Sequence, residues 1–292
     1  MPEIPANLSV LEHVLRAVRE GRAAIDRDPF PHLVVENVVP DDLYATLEDA
    51  FPETGYIAET DALEDNHTYL RTSDSSLGDE DLSDLWRAFI EANTGHTVFE
   101  TACAIWGDDI RERHPELEAN FGKPLESFTT GRRSGKGDSE ANRRADLMID
   151  CQFGVNTPVT EVGAPRGPHV DRGAKLFSAL LYFRDEKDES TGGEYELFKL
   201  RRGPFPKKKM KKIPERYIET VKRVPYRANQ IVMWMNTADA IHAVAPRSIT
   251  PFPRRYIAVS GECFGGAMPS GFFSHFPDWD SPVGRLRAAV GL

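Results

Sequence analysis

The chain has 292 residues, enough to bury a substantial core as one large or two small domains. Hydrophobic residues at 40% and charged residues at 28% are the values of a globular protein, not of a disordered or fibrous one. A net charge of −10 argues against bulk nucleic-acid affinity, and no apolar run approaches the length that spans a bilayer.

Residues 8–25 repeat Leu11, Val14, Leu15, Val18 and Ala24 at helical spacing, with Asn7 or Ser9 as cap, and read as a packing helix. Residues 30–40 read as a strand closed by Pro40, with His32 structural, and Asp41 opens a helix running to Phe51. Residues 52–80 are polar and are expected to form an irregular loop over the mouth of a site. Residues 82–92 and 95–106 look helical, whereas 122–142, rich in Gly, Ser, Arg and Lys, reads as a loop.

From residue 145 the period changes to two. Residues 145–153 alternate, and a Pro/Gly-rich loop follows over 154–166. Strands are then expected at 176–183, 193–200, 220–225, 229–235 and 254–263. Strands separated by turn signals, with helices ahead of them, predict an α+β protein with a mainly β core. The architecture expected is a double-stranded β-helix, a jelly roll of cupin type, with supporting N-terminal helices. One domain over 1–292 is expected, comprising helical support and entry strand (1–143), catalytic core (144–265) and a tail (266–292) with a short helix at 283–290. The three cysteines, Cys103, Cys151 and Cys263, have no metal-ligand spacing and are odd in number. With no signal-peptide pattern at the N-terminus, they read as reduced thiols of a cytoplasmic protein.

The candidate chemistry centres on His169-Val170-Asp171. On an extended strand, residues i and i+2 point to one face, so the imidazole and the carboxylate can reach one ion. His242, far downstream, offers a second imidazole. Two histidines and a carboxylate are the facial set of non-haem Fe(II) sites, which leaves open positions on the metal. Around it stand a strand ending in Tyr182 and a Gly192-Gly193-Glu194 strand. Val244 and Pro246 follow the distal His242, and Arg254-Arg255-Tyr256 opens a last strand.

These parts, in this order, resemble the 2-oxoglutarate and Fe(II)-dependent oxygenases, in particular their prolyl-4-hydroxylase-like branch. The resemblance covers residues 145–265 and, more weakly, 29–52. It implies Fe(II) on His169, Asp171 and His242, with 2-oxoglutarate and O2 as cosubstrates. The reaction implied is oxidative decarboxylation to succinate and CO2 coupled to hydroxylation of an unactivated C–H bond of a small molecule. Halogenating relatives lack the carboxylate, so Asp171 favours hydroxylation. The far carboxylate of 2-oxoglutarate needs a cation. Arg255 directly precedes Tyr256, as the family's Arg precedes its aromatic, and is the expected anchor; alternation puts Arg254 on the other sheet face. Tyr182 aligns with a position that can contact the same carboxylate. Gln152 and Asn236 are further cofactor-contact candidates, and Asn156 and Arg172 are candidate substrate contacts. Trp234 reads as core, and His96, His114 and His275 as surface or structural. A protein hydroxylase of prolyl type and a non-catalytic jelly-roll binding module are the competing readings.

Lys199, Arg201, Arg202, Lys207, Lys208, Lys209, Lys211 and Lys212 concentrate positive charge between two expected strands. The segment reads either as a solvated loop or as a lid that attracts an anionic substrate. No nucleic-acid or membrane partner is expected, since no aromatic ladder accompanies the charge.

Overall fold

The computed structural model describes residues 5, 7–135, 139–201 and 213–264. The basic residues from Arg202 to Lys212, the expected tail helix and His275 lie outside the described residues. Among those described, the helices are α1 (Val10–Arg19), α2 (Asp41–Asp49), α3 (Thr54–Ala58), α4 (Ser73–Leu77), α5 (Asp84–Ala92), α6 (His96–Arg113) and α7 (Leu117–Phe121). The strands are β1 (His32–Glu36), β2 (Thr68–Arg71), β3 (Thr130–Arg132), β4 (Leu147–Asn156), β5 (Lys175–Phe183), β6 (Tyr195–Leu200), β7 (Ile218–Val224), β8 (Gln230–Met235), β9 (His242–Val244) and β10 (Arg254–Cys263). None of the described helices is long and apolar enough to cross a membrane.

The strands form two sheets. The larger has the order β1-β8-β5-β10-β4-β2, with β3 added in parallel to β4; the smaller has the order β7-β6-β9. Period-two alternation sorts each strand of the large sheet between two cores. Ile149, Cys151, Phe153, Val155, Ala179, Leu181, Phe183, Ile231, Met233, Ile257 and Val259 face the helices. Tyr182, Val232, Trp234 and Tyr256 face Tyr195, Leu197 and Val224 of the small sheet. A sheet buried on both faces explains why its strands read as nearly continuous apolar runs. Two sheets enclosing a core, with helices outside, make the double-stranded β-helix expected from the sequence.

The helical layer is locked to the sheet by aromatic rings. Phe51 and Trp86 meet Phe153 edge-on at 5.7 and 4.8 Å between centroids, and Phe183 lies 4.9 Å from Phe51. Glycine sets the inner face at one position: Tyr256 lies across Gly154, where a Cβ would come 2.1 Å from its ring. At the entry to β6, Gly192 has φ +86 and a Cβ there would meet the Pro246 carbonyl oxygen at 1.8 Å, so the Gly-Gly pair is required by backbone contact.

Two segments expected to be irregular carry regular elements among their described residues. Residues 52–80 contain α3, α4 and β2, which adds to β4 in antiparallel register. Residues 122–142 contain β3. Both strands are short and polar, so their pairing comes from the neighbouring β4 and leaves no periodic signal of their own. Lys199 pairs with Asp28 on the surface, 2.7 Å apart, and Arg201 donates to the Ile218 carbonyl at 2.7 Å.

Phe153 is fully buried between the layers. Phe153→Ala should therefore cost about 3–5 kcal/mol, read as a lowered urea midpoint with the slope unchanged.

Candidate metal centre and inner cavity face

The chain enters the site through the loop before β5. His169 and His242 exchange reciprocal backbone hydrogen bonds, both 2.9 Å, so His169 extends the small sheet beside β9. Their rings lie 4.4 Å apart. His169 Nδ1 is 2.8 Å from the Gly167 carbonyl oxygen, and His242 Nδ1 is 2.9 Å from that of Ala240. A carbonyl can only accept, so each Nδ1 carries the proton and each Nε2 keeps its lone pair. These Nε2 atoms lie 3.7 and 4.0 Å from Asp171 Oδ1. Ligand atoms of the three residues all fall within 4.8 Å of one another. The other carboxylate oxygen, Oδ2, is held by Lys175 Nζ at 3.3 Å and Ser178 Oγ at 3.4 Å. One oxygen is thus fixed from behind while the other faces the imidazoles.

The electrostatics match a divalent cation. Burial, helped by the neighbouring His169, pushes the His242 pKa down to about 3 and keeps the ring neutral. Burial alone would push the Asp171 carboxyl up, but the Lys175 ammonium beside it leads the interactions that hold it well below the usual carboxylate range. Two imidazoles and a carboxylate are the donor set Fe(II) takes. His169 Nε2 is buried and has no hydrogen-bond partner, as expected of an atom reserved for a metal. Tyr195 stacks 5.2 Å from the His242 ring and Trp234 lies 5.0 Å from it, which fixes its orientation.

Further along the same inner face is Arg254, only 1% exposed. Its guanidinium carbon lies 4.6 Å from the Tyr182 ring, 5.0 Å from Tyr226 and 5.3 Å from Tyr256. Its Nε donates to the Gly193 carbonyl at 3.1 Å and its Nη1 to Asn156 Oδ1 at 3.3 Å, but Nη2 is buried without a partner. The Tyr182 and Tyr195 hydroxyls and the Trp234 indole N–H are likewise buried and unpaired. Burial raises the Tyr182 pKa, against the pull of Arg254, so its hydroxyl keeps its proton.

The expectation that Arg255 faces the cavity is overturned. Its Nη2 pairs with Glu48 Oε1 at 3.1 Å, its Nε donates to the Phe183 carbonyl, and it lies over Phe51 in the helical layer. Tyr256 must face inward to lie over Gly154, so alternation turns Arg254 inward and Arg255 outward. Gln152 faces inward and donates to Asp150 Oδ2 at 2.7 Å. Asn156 bridges Arg254 and Thr68. The Asn236 amide donates to the carbonyls of Arg172 and Lys175, both at 3.0 Å, and so clamps the turn after Asp171. Arg172 pairs with Glu262 at 3.1 Å. Arg254 was weighed against Arg255 as the anchor and placed on the other face, Trp234 was read as core, and Tyr195 and Tyr226 were not singled out from sequence. Alternation from Leu197 would have placed Tyr195 inward, but nothing local marks its hydroxyl as unpaired.

Residues 157–260 match the model of the 2OG-Fe(II) oxygenase superfamily. That superfamily uses Fe(II), 2-oxoglutarate and O2, and the matched segment contains His169, Asp171 and His242, a set that could hold iron, which supports an oxidoreductase. Similar solved structures include a Pseudomonas putida prolyl-4-hydroxylase, with 12% identity, TM-score 0.43 and coverage of 87% of this chain and 99% of that one. The α-ketoglutarate-dependent epimerase SnoN from nogalamycin biosynthesis has 14% identity, TM-score 0.44 and coverage of 87% and 80%. An oxidoreductase of the 2OG-Fe(II) oxygenase family from Burkholderia pseudomallei has 11% identity, TM-score 0.39 and coverage of 92% and 97%. No curated protein matches the sequence.

His114, at the end of α6, donates from Nε2 to the Asn236 carbonyl at 3.1 Å and supports the same clamp. Burial pushes its pKa from 6.5 down to about 4. The unfolded chain therefore binds more protons in that window, and stability falls as the pH drops from 6.5 to 4. His114→Gln, which cannot titrate, should lose up to about 3 kcal/mol less than the unaltered protein between these limits. Urea midpoints at pH 7 and pH 4.5 for both proteins give the difference; parallel losses would show that His114 is not protonated on unfolding.

Proposed function

We propose that the protein is a 2-oxoglutarate-dependent dioxygenase that hydroxylates an unactivated C–H bond of a small molecule, with His169, Asp171 and His242 holding Fe(II). The observation that carries this is the convergence of two imidazole Nε2 atoms and one carboxylate oxygen on one point, with a buried guanidinium whose Nη2 is unpaired on the same inner face. Arg254, not Arg255, is then the residue that receives the far carboxylate of 2-oxoglutarate. Its free Nη2 and the Tyr182 hydroxyl are the buried donors such an anion would satisfy. Bound together, Fe(II), 2-oxoglutarate and O2 supply the oxidation, releasing succinate and CO2 and placing one oxygen atom on the substrate.

The chain's own residues bind and orient. The Gly167 and Ala240 carbonyls fix both histidine tautomers. Lys175 and Ser178 hold Asp171 Oδ2, which directs Oδ1 at the metal position. Asp171 also fills the place a halide would need, which favours hydroxylation. Tyr182, Tyr195, Trp234 and Tyr256 surround the site with aromatic surface, which excludes water and strengthens the charge pairing of Arg254.

His242→Ala should abolish succinate formation from 2-oxoglutarate and lower the iron bound per chain after anaerobic loading. Full turnover by this variant would remove His242 from the ligand set. Arg254→Ala should raise the 2-oxoglutarate requirement by the equivalent of about 2–5 kcal/mol, the usual loss of a buried charge-assisted contact. Arg255→Ala should act on stability instead, through the lost Glu48 contact. A larger cosubstrate defect in Arg255→Ala would reassign the anchor.

A further inference from the structure

The inner face of the large sheet carries a transverse row that the cosubstrate does not use. Trp234, Ser178, Ser260 and Asp150 are Cα partners across β8, β5, β10 and β4. The row begins beside the His242 ring at Trp234 and passes Asp171 at Ser178. It ends at Asp150, which is fully buried. The next inward position on β10 is Glu262, also fully buried.

Arg133, in the residues after β3, reaches both acids. Its Nη1 is 3.4 Å from Asp150 Oδ2 and its Nε 3.5 Å from Glu262 Oε2. The side chain is 7% exposed. The two carboxylates are well supplied with donors. Asp150 accepts from Ser73 N at 3.0 Å, Ser73 Oγ at 2.8 Å and Gln152 Nε2 at 2.7 Å, and Glu262 accepts from Arg172 at 3.1 Å. The guanidinium is not. Of its five N–H groups, one makes a long hydrogen bond to a described residue, and Nε is buried without a hydrogen-bond partner. The two carboxylates balance its charge, but a buried N–H group without an acceptor costs free energy until one is supplied.

We propose that Arg133 anchors a carboxylate of the substrate, so that the compound oxidised at this site is a small organic acid. Asp150 and Glu262 orient the guanidinium, and Ser178 and Ser260 stand in the row between it and the metal position. Two strand spacings separate Ser178 from Asp150, about 10 Å. The reacting carbon therefore lies within a few bonds of the carboxylate, the span of an amino acid or a short-chain acid. This assignment rests on the dioxygenase reading.

The test uses the Fe(II)-loaded full chain with 2-oxoglutarate and O2. The probes are the twenty common amino acids and the three- to eight-carbon mono- and dicarboxylic acids, each beside its carboxamide. Succinate release above the probe-free rate and a mass gain of one oxygen are the readouts. At least one acid should be oxidised while its carboxamide is not, a comparison that needs no variant. For that acid, Arg133→Met should raise KM at least tenfold, and more than it raises the KM for 2-oxoglutarate, with Arg133→Lys recovering part of the loss. The proposal is overturned if carboxamides react as well as acids, or if no acid is oxidised by an enzyme that consumes 2-oxoglutarate. It is also overturned if Arg133→Met affects 2-oxoglutarate as strongly as the acid. An unaltered enzyme that consumes no 2-oxoglutarate would instead overturn the dioxygenase reading, and this proposal with it.

Discussion

Two backbone hydrogen bonds between His169 and His242 are the constraint on which the site depends. They join the loop before β5 to β9, segments brought together by the small sheet. Once paired, each imidazole is further fixed by a carbonyl two residues back, Gly167 and Ala240. Asp171 needs only the i+2 geometry of an extended segment to face the same point. The ligand set is therefore defined by backbone before any metal arrives, and little conformational entropy remains to be lost on binding.

The cost of that preorganisation is visible in unpaired polar atoms. Most buried donors in proteins find partners. Along this inner face His169 Nε2, the Tyr182 and Tyr195 hydroxyls, Trp234 Nε1 and Arg254 Nη2 do not. They line the space between the two sheets, not the layer under the helices, where Phe51, Trp86, Phe153 and Phe183 pack ring against ring. The two faces of one sheet thus have different tasks. The helix-facing side supplies stability, and the inward side stores hydrogen-bonding capacity for ligands.

The alternating strands and the His-x-Asp pair were legible in the sequence because both follow from local spacing, whereas the distal His242 was legible only through the order of parts shared with the oxygenases. The bounds of β10 and the His-x-Asp pair needed no knowledge of neighbours. The choice between Arg254 and Arg255 was not legible, because neighbouring arginines on a strand differ only in register. That register is decided by Tyr256 lying over Gly154, a cross-strand contact. Arg133 was hidden for the same kind of reason. It lies in a Gly-, Ser- and Arg-rich stretch that reads as solvated loop, and it is buried only because β3 pairs with β4 and brings it to Asp150. Residues 68–71 read as loop because a short polar strand borrows its order from the partner it joins.

The spacing along β10 also bears on how one cavity could discriminate two acids. Arg254 and Ser260 stand six residues apart on the strand, about 20 Å of extended chain. Arg254 lies among Tyr182, Tyr226 and Tyr256 at one end, and Arg133 is reached from the row of Ser260 towards the other. The metal triad approaches the sheet at Ser178, in the row of Ser260. On the proposed assignments, Arg254 at the tyrosine-walled end takes the cosubstrate's far carboxylate and Arg133 takes the second anion. Moving Arg254 by one residue would turn it to the other face of its strand, so the position of that anion site is fixed by the same alternation that builds the fold.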